Sequence, residues 1–440
     1  MTSIDLNSGA LAPVANEISV DLPQVSGTVP ADLNGQLIRN GPNPYSGRFG
    51  GSEVLDWWPE AAMLHGLEFA NGTVRSYRNR WLRTQAWARH TGARDADRYV
   101  ETNPNVSIVR HAGKVLALGE GVVPLEVDAA LETLGKPATH AGFPRGFTGH
   151  PKLDTKTGEL VGFKQDWMPP FLQYMTFDQS GRQSRIQEIA MDSPSMMHDM
   201  AITHSFCIFF DLSVSIDFEM LEQGYRLPIR WHDERPSRIC VVSRAEGAVR
   251  WFEIEPCFIQ HFVNAYEVRG SIVLDAVRYP WYFKFDRSKK VFAQNPLGNL
   301  WRYEIDLNTG SVSARPLAEQ HIELPRINEA HTGSEYRYLY AVEQPTDDEM
   351  RGVLKYDLAS QAFTRHKIPR GDQNSEPVFV AREGATNEDD GWLLVCVYRE
   401  KTDTSDVLIL DARDIEHALV ATVTLPCRIP AGFHGAWIPA

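Results

Sequence analysis

The 440-residue chain has no stretch approaching the roughly 20 consecutive apolar residues that span a bilayer. Positive charge is also scarce: 44 Lys and Arg against 57 Asp and Glu give a net charge of −13. Binding a phosphate backbone takes clustered cations, so this balance argues against nucleic acid as a partner, and no basic arm or stacking motif speaks for it. Five cysteines, Cys207, Cys240, Cys257, Cys396 and Cys427, are scattered, odd in number and free of C-x-x-C spacing. They suit small buried hydrophobes in a reducing compartment better than disulfides or metal ligands. There is no G-x-S-x-G elbow, no Rossmann glycine fingerprint and no P-loop, so acyl transfer, dinucleotide chemistry and phosphate cradling lack their usual signatures. Met1-Thr2-Ser3-Ile4-Asp5 has neither the positive start nor the apolar run of a secretory leader, and a cytoplasmic protein is expected. No linker or low-complexity run divides the sequence, so residues 1–440 are expected to form one domain.

Turn chemistry flanked by β-formers is what the sequence has in quantity. Asn71-Gly72, Ala112-Gly113, Thr157-Gly158, Ser180-Gly181, Glu246-Gly247 and Thr309-Gly310 each separate apolar or β-branched runs. Asn, Asp and Gly tolerate the left-handed backbone that tight hairpins require, and flanks such as Lys114-Val115-Leu116-Ala117-Leu118 fit strands. Hairpins along the whole length, with no long helical period, predict an all-β, radial architecture. Short helices are expected at residues 128–134 and 414–418, and the first 20 or so residues are expected to form a loose arm.

Four histidines stand in short segments that read as strand ends or tight turns: Gly149-His150-Pro151, Met197-His198-Asp199, Gln260-His261-Phe262 and Phe433-His434-Gly435. Three glutamates have similar settings: Gly119-Glu120-Gly121, Ile322-Glu323-Leu324 and Ser375-Glu376-Pro377. Neutral imidazoles suit iron, zinc or copper, and a ligating His usually gives its second N–H to a carboxylate or carbonyl. Among the remaining histidines, His65 reads as structural or cavity-edge and His204 as core, while His111, His140 and the others sit among polar or turn residues and read as exposed.

A series of motifs accompanies these residues in order. It runs from Arg39-Asn40-Gly41-Pro42-Asn43-Pro44 through Met63-Leu64-His65-Gly66, Tyr77-Arg78-Asn79-Arg80 and Gly149-His150-Pro151-Lys152-Leu153-Asp154 to Met196-Met197-His198-Asp199. It continues through Pro325-Arg326-Ile327-Asn328, Ser375-Glu376-Pro377-Val378 and Leu425-Pro426-Cys427-Arg428-Ile429-Pro430 to Gly432-Phe433-His434-Gly435. Nearly the whole chain thereby resembles the carotenoid cleavage oxygenase family. The resemblance implies a seven-bladed β-propeller with a cap of helices and loops over the metal-bearing face. It implies one Fe2+ per chain, held by His150, His198, His261 and His434. Glu120, Glu323 and Glu376 fall where the family places carboxylates that accept N–H from the ligands, paired with His198, His261 and His434 in that order, leaving His150 without one. The implied reaction is dioxygenase cleavage of a conjugated C=C bond by O2, giving two carbonyl products, with no acid–base dyad or nucleophile required.

The implied substrate is an apolar polyene in a tunnel, with at most weak peripheral membrane contact. Trp87, Phe171, Tyr174, Phe262, Tyr282 and Phe433 are the candidate wall residues, and ordinary propeller packing is the alternative for each. Stilbene-cleaving relatives carry a Lys directly before the first glutamate and an upstream Tyr, which hold a phenol oxygen; here those places hold Gly119 and the region of Trp87. The missing anchor favours a carotenoid or apocarotenoid over a stilbenoid, and Gly119→Lys with Trp87→Tyr is expected to restore phenol binding. Val106 stands where many relatives place a Thr near the open metal position. Two alternatives remain open: a stilbenoid-cleaving dioxygenase, and a non-oxygenase, metal-stabilised propeller acting as an isomerohydrolase or binding module.

Overall fold

Two-residue hairpins organise the chain. At Asn71-Gly72 and Ala112-Gly113 both residues adopt positive φ, 52° and 71° in the first and 52° and 73° in the second. That geometry matches the twist of the flanking strands, and glycine at the second position adopts it without steric cost. The computed structural model describes residues 5–51, 54–139, 146–225, 227–286, 291–346 and 349–440.

Among the described residues, the strands pair into seven antiparallel units of four or more strands. Their inner strands are Ser107–His111, Lys152–Asp154, Ala201–Ile202, Phe258–Val268, the end of Val312–Arg326, Val378–Ala381 and Gly435–Pro439. Val312–Arg326 pairs first with Asn299–Asp306 and then, past a register shift, with Tyr338–Glu343, so one strand serves two units. Lys152–Asp154 touches Ala201–Ile202, Ala201–Ile202 touches Phe258–Val268 and Phe258–Val268 touches Val312–Arg326, while Gly435–Pro439 lies against both Val378–Ala381 and Ser107–His111. Closure uses both ends of the chain: Gly35–Pro42 pairs with Gly435–Pro439, and Gln24–Gly27 with Leu419–Thr424. This is the all-β propeller that the resemblance implies.

Successive sheets are held face to face by apolar clusters. Phe163 and Tyr174 of one sheet meet Phe209 and Cys240 of the next, all fully or almost fully buried. Burying each such large side chain contributes roughly 1.5–3 kcal/mol. The cysteines behave as read: Cys207, Cys240, Cys257 and Cys396 are buried and none of the five is bridged. No described helix is long and apolar enough to cross a membrane.

Several local expectations are corrected. Residues 128–134 form a tight turn and the start of a strand, because the Asp128 carboxylate accepts from Ala130 N and Glu132 N and Leu131 takes φ 63°. Residues 414–418 are a single turn closed by Ala418 N to Asp414 O. The helices are instead Val54–Trp57, Gln85–Thr91 and Phe218–Glu222 among the described residues. The N-terminal arm is docked from residue 5 onward: Leu6 is buried, Asn43 bonds both Val14 N and Val14 O, and Glu17 pairs with Arg83 at 2.6 Å. His111 is buried and reaches Gly158 O at 3.0 Å, whereas His204 is exposed. His65 is buried against Tyr77 OH at 2.9 Å, and His140 lies outside the described residues.

Candidate metal centre

Each of the four histidines stands where an inner strand begins or loses register. His150 precedes Lys152–Asp154, His198 precedes Ala201–Ile202 and His434 precedes Gly435–Pro439. His261 falls in the register shift between Ile259 and Phe262. A strand end or bulge turns a side chain out of the regular face alternation, and here it turns all four toward the axis. One nitrogen from each ring lies within 4.8 Å of the other three. His198 Nε2 and His261 Nε2 are 3.3 Å apart, and with metal–nitrogen bonds of about 2.1 Å adjacent ligand atoms stand roughly 3.0–3.4 Å apart. His150 Nε2 is fully enclosed and has no hydrogen-bond partner. A buried imidazole nitrogen left so, beside three others, fits a metal ion at the centre of the group.

The glutamates occupy breaks of the same kind. Glu323 precedes Leu324, which has φ 52°, and Pro325 within a register shift. Glu376 lies between Gln373–Asn374 and Val378–Ala381, which pair with the same neighbouring strand but are interrupted at Pro377. Glu323 Oε2 takes His261 Nδ1 at 2.6 Å and Leu324 N at 2.5 Å, while Oε1 takes Tyr279 OH at 2.7 Å. Glu376 Oε2 takes His434 Nδ1 at 3.0 Å, and Oε1 takes Gly435 N at 2.5 Å and Arg326 Nη1 at 3.1 Å. Glu120 Oε1 stands 3.3 Å from His198 Nδ1, a looser approach.

The electrostatics separate the three. Burial acts to raise both Glu323 and Glu376, but His261 holds the first below its usual range, and Arg326 with His434 holds the second well below. Glu120 has no such cation, so burial and then the Asp199 carboxylate push it up to about 8 against one Gly149 N–H. Its side chain keeps 39% of its surface open. His198 Nδ1 and the Gly149 N–H lie against the carboxylate, and burial on that side is what acts upward. Burial, reinforced by the neighbouring imidazoles, holds His150 and His198 well below the usual imidazole range. Neutral rings are the form that ligates.

The family model for retinal pigment epithelial membrane protein matches residues 11–439. The carotenoid cleavage oxygenase of Mycobacterium tuberculosis is 33% identical, over 98% of this chain and 97% of its own length. The carotenoid 9,10(9',10')-cleavage dioxygenase 1 of Arabidopsis thaliana is 30% identical, over 98% and 89%. A solved variant of the Synechocystis apocarotenoid oxygenase is 25% identical with a TM-score of 0.86, each chain covering 98% of the other. The chain belongs to the carotenoid cleavage oxygenase family.

Within that family frame, the six candidate wall aromatics scatter. Phe262 borders a cavity of about 400 Å³ that reaches His150, His261 and His434 along the inner strands. Phe433 packs on Trp57 with ring centres 4.9 Å apart, directly beside His434. Tyr282 stacks on Phe258 at 4.8 Å, and burial followed by the Glu323 charge pushes its phenol up to about 12. Tyr174 is corrected to sheet core: it is 1% exposed and packs on Phe209, because alternation on Leu172–Phe177 turns it into the contact between sheets. Phe171 is half-buried just ahead of that strand, where its carbonyl closes a turn to Asp166 N. Trp87 sits on helix Gln85–Thr91 between Arg83, at 4.5 Å, and Tyr99, at 5.6 Å.

Gly119 cannot take a side chain. An added Cβ would lie 2.9 Å from Pro104 Cα, 2.9 Å from Val122 Cγ2 and 3.0 Å from Asn103 O. Two of those atoms are backbone, so the expected rescue by Gly119→Lys is corrected to a steric conflict. Val106 and Glu120 both adjoin Gly149: a Cβ there would lie 2.9 Å from Val106 Cγ1 and 2.7 Å from Glu120 Oε1.

Three contributors, Arg326, Asp199 and Lys152, lie inside quoted motifs without their partners being readable, and a fourth, Tyr279, lies outside them. Asp199 ties three ligand segments together. It follows His198, accepts from Phe262 N at 2.9 Å and Met200 N at 2.7 Å, and pairs with Lys152 Nζ at 2.7 Å. Asp199→Ala would strand the Lys152 ammonium and the Phe262 N–H. Because Lys152 keeps 23% of its side chain exposed, the expected loss is about 2 kcal/mol, below the roughly 3–5 kcal/mol of a fully buried pair. Urea unfolding with an unchanged m value checks it.

Proposed function

We propose that this chain is a non-haem Fe(II) dioxygenase that cleaves a conjugated C=C bond of a carotenoid or apocarotenoid with O2 to give two carbonyl products. The observation that carries the reading is the four-imidazole group within 4.8 Å, with the second nitrogens of three rings facing Glu120, Glu323 and Glu376. Bound there, a ferrous ion would supply the redox chemistry of O2.

The chain's own residues hold and orient. His150, His198, His261 and His434 would be the ligands. Glu323 keeps the His261 proton on Nδ1 and so aims Nε2 inward, and Tyr279 donates to its other oxygen. Glu376 does the same for His434, with its charge balanced by Arg326. Val106 offers methyls rather than a hydroxyl beside the open side, which suits an apolar olefin and gives no hydrogen bond to a solvent ligand. Phe262, on the cavity that reaches His261, Phe433, directly beside His434, and Tyr282, packed on Phe258, are the wall candidates kept.

The blocked position at Gly119 favours a polyene over a hydroxystilbene, because no ammonium can stand there to meet a phenolate. Absence of such a contact weakens binding by about 1.5–3 kcal/mol, or roughly ten- to a hundredfold. The expected result is cleavage of a long apocarotenoid at least tenfold more efficiently than a 4-hydroxystilbene under air, and of neither without O2. Efficient cleavage of the stilbene alone would overturn the substrate class, and product formation without O2 would overturn the dioxygenase.

A second expectation separates the carboxylates from their surroundings. Glu323→Gln should keep part of the iron but lose roughly ten- to a hundredfold in activity, since an amide oxygen is a weaker acceptor for the ligand N–H. His321→Ala, two residues away and exposed, should leave activity nearly intact. Equal behaviour of the two variants would remove Glu323 from the mechanism.

A further inference from the structure

Arg39 is 4% exposed, and its backbone pairs with Gly435, the residue after the fourth histidine. Its Nη1 is fully enclosed without a partner, and among the described residues no carboxylate or carbonyl engages the guanidinium. Other deeply set arginines are answered differently: Arg244 meets Asp154, Arg302 meets Asp275 and Arg326 meets Glu376. Glu376 cannot serve Arg39 as well, since its oxygens are committed to Arg326, Gly435 and His434. A buried guanidinium without a counter-charge costs several kcal/mol, and among the described residues none supplies one to Arg39.

The guanidinium borders a cavity of about 10 Å³, room for one solvent-sized occupant, walled also by Asn40, Gly41, Pro42, His65 and Gly432. Cys427 Sγ lies 3.4 Å from Tyr77 OH, and Tyr77 OH lies 2.9 Å from His65 Nδ1. Burial, and then the Arg39 charge, hold His65 down at about 3, so the ring is neutral. The cavity is therefore faced by one cation and by an uncharged imidazole. Asn40 gives its amide hydrogens to Pro104 O at 2.8 Å and Ser107 O at 3.1 Å, leaving its Oδ1 without a partner. A Cβ at Gly432 would stand 3.6 Å from Arg39 Nη2 and 2.9 Å from Asn40 O, so the absence of a side chain there keeps the space open.

We propose that this cavity is an inorganic-anion site, holding one chloride-sized ion between the Arg39 guanidinium and the His65 ring, behind the segment that carries His434. The unanswered Arg39 charge is the feature that calls for an anion, and the unpartnered Asn40 Oδ1 is the feature a water molecule would use instead.

Metal-loaded protein crystallised with sodium bromide replacing chloride tests this directly. The expected result is an anomalous bromide peak within about 3.5 Å of the Arg39 and His65 nitrogens. Water-like density without anomalous signal at that place, or bromide at the outer surface only, would overturn the proposal. In solution, thermal unfolding in chloride against gluconate at equal ionic strength should show a chloride-specific, saturable rise of about 2 °C, absent in Arg39→Gln. The same chloride effect in the variant, or none in the parent, would count against it. Should Arg39→Gln fail to fold, the bromide experiment on the parent chain decides alone.

Discussion

His261→Ala should yield a folded chain with little bound metal and essentially no turnover. The ring is held by the Glu323 carboxylate at 2.6 Å and brings Nε2 to 3.3 Å from His198 Nε2. Losing an outer partner of a metal ligand costs roughly 10–100-fold in affinity or activity, so losing the ligand itself should exceed about a hundredfold. Two effects add to the gap in coordination. Glu323 keeps Tyr279 and the Leu324 N–H but loses the imidazole that holds its pKa down, and a small cavity opens beside buried Phe262 and Ile259. Metal analysis against protein concentration, with circular dichroism to show an intact β signal, checks the expectation. About one iron per chain and normal turnover in this variant would remove His261 from the centre.

Residues 128–134 and Tyr174 show where the sequence misleads. Residues 128–134 read as a short helix until the Asp128 carboxylate is seen accepting from two backbone N–H groups and closing a turn. Side-chain competition for backbone hydrogens is local chemistry that periodicity does not register. Tyr174 follows a ligand motif closely enough to suggest the cavity, but strand alternation gives it the opposite face, and only knowledge of strand register decides that. His111 reads as a turn residue by its neighbours, yet the turn of an adjacent sheet brings Gly158 O to it.

The four histidines and three glutamates were legible because motif order carries them, and the structure supplies the reason for their positions: each stands at a strand end or at a break in strand pairing. What motif order could not carry is which residue of a distant strand closes each contact. Arg326 lies three residues after Glu323 but serves Glu376, 50 positions further along the chain, because their strands become neighbours only when the ring closes. Tyr279 and Glu323, 44 positions apart, meet within one sheet instead, because Ser271–Tyr279 and Val312–Arg326 flank Asn299–Asp306. Gly119 offered a chemical reading, a missing anchor, but its steric meaning depends on Pro104 and Asn103 crossing behind it.

Arg326→Met is expected to be the most destabilising single change near the centre that leaves every ligand in place. Arg326 Nη1 binds Glu376 Oε1 at 3.1 Å and Gly435 O at 3.0 Å, and Nη2 pairs with Glu329. Glu376 is 1% exposed, so removing its cation leaves a buried carboxylate with one imidazole and one backbone N–H. Breaking a buried pair from one side costs about 3–5 kcal/mol. The pH dependence should change sign as well as size. In the parent chain Glu376 is held well below its usual value, chiefly by Arg326 against the effect of burial. Its share of stability is then present above the unfolded carboxylate range near pH 4.5 and is lost as pH falls toward the depressed value. Without Arg326, burial dominates and the folded-state value rises above that of the unfolded chain. The carboxyl then favours folding when protonated, and its penalty grows as pH rises through the new value. The stability gap between parent and variant should therefore be widest at pH 7–8 and should narrow steadily as pH is lowered through 6 to 5. Urea unfolding of both metal-loaded proteins across that range reads the gap directly. A constant gap across the range would mean that Arg326 acts through packing and its bond to Gly435 rather than through the charge on Glu376.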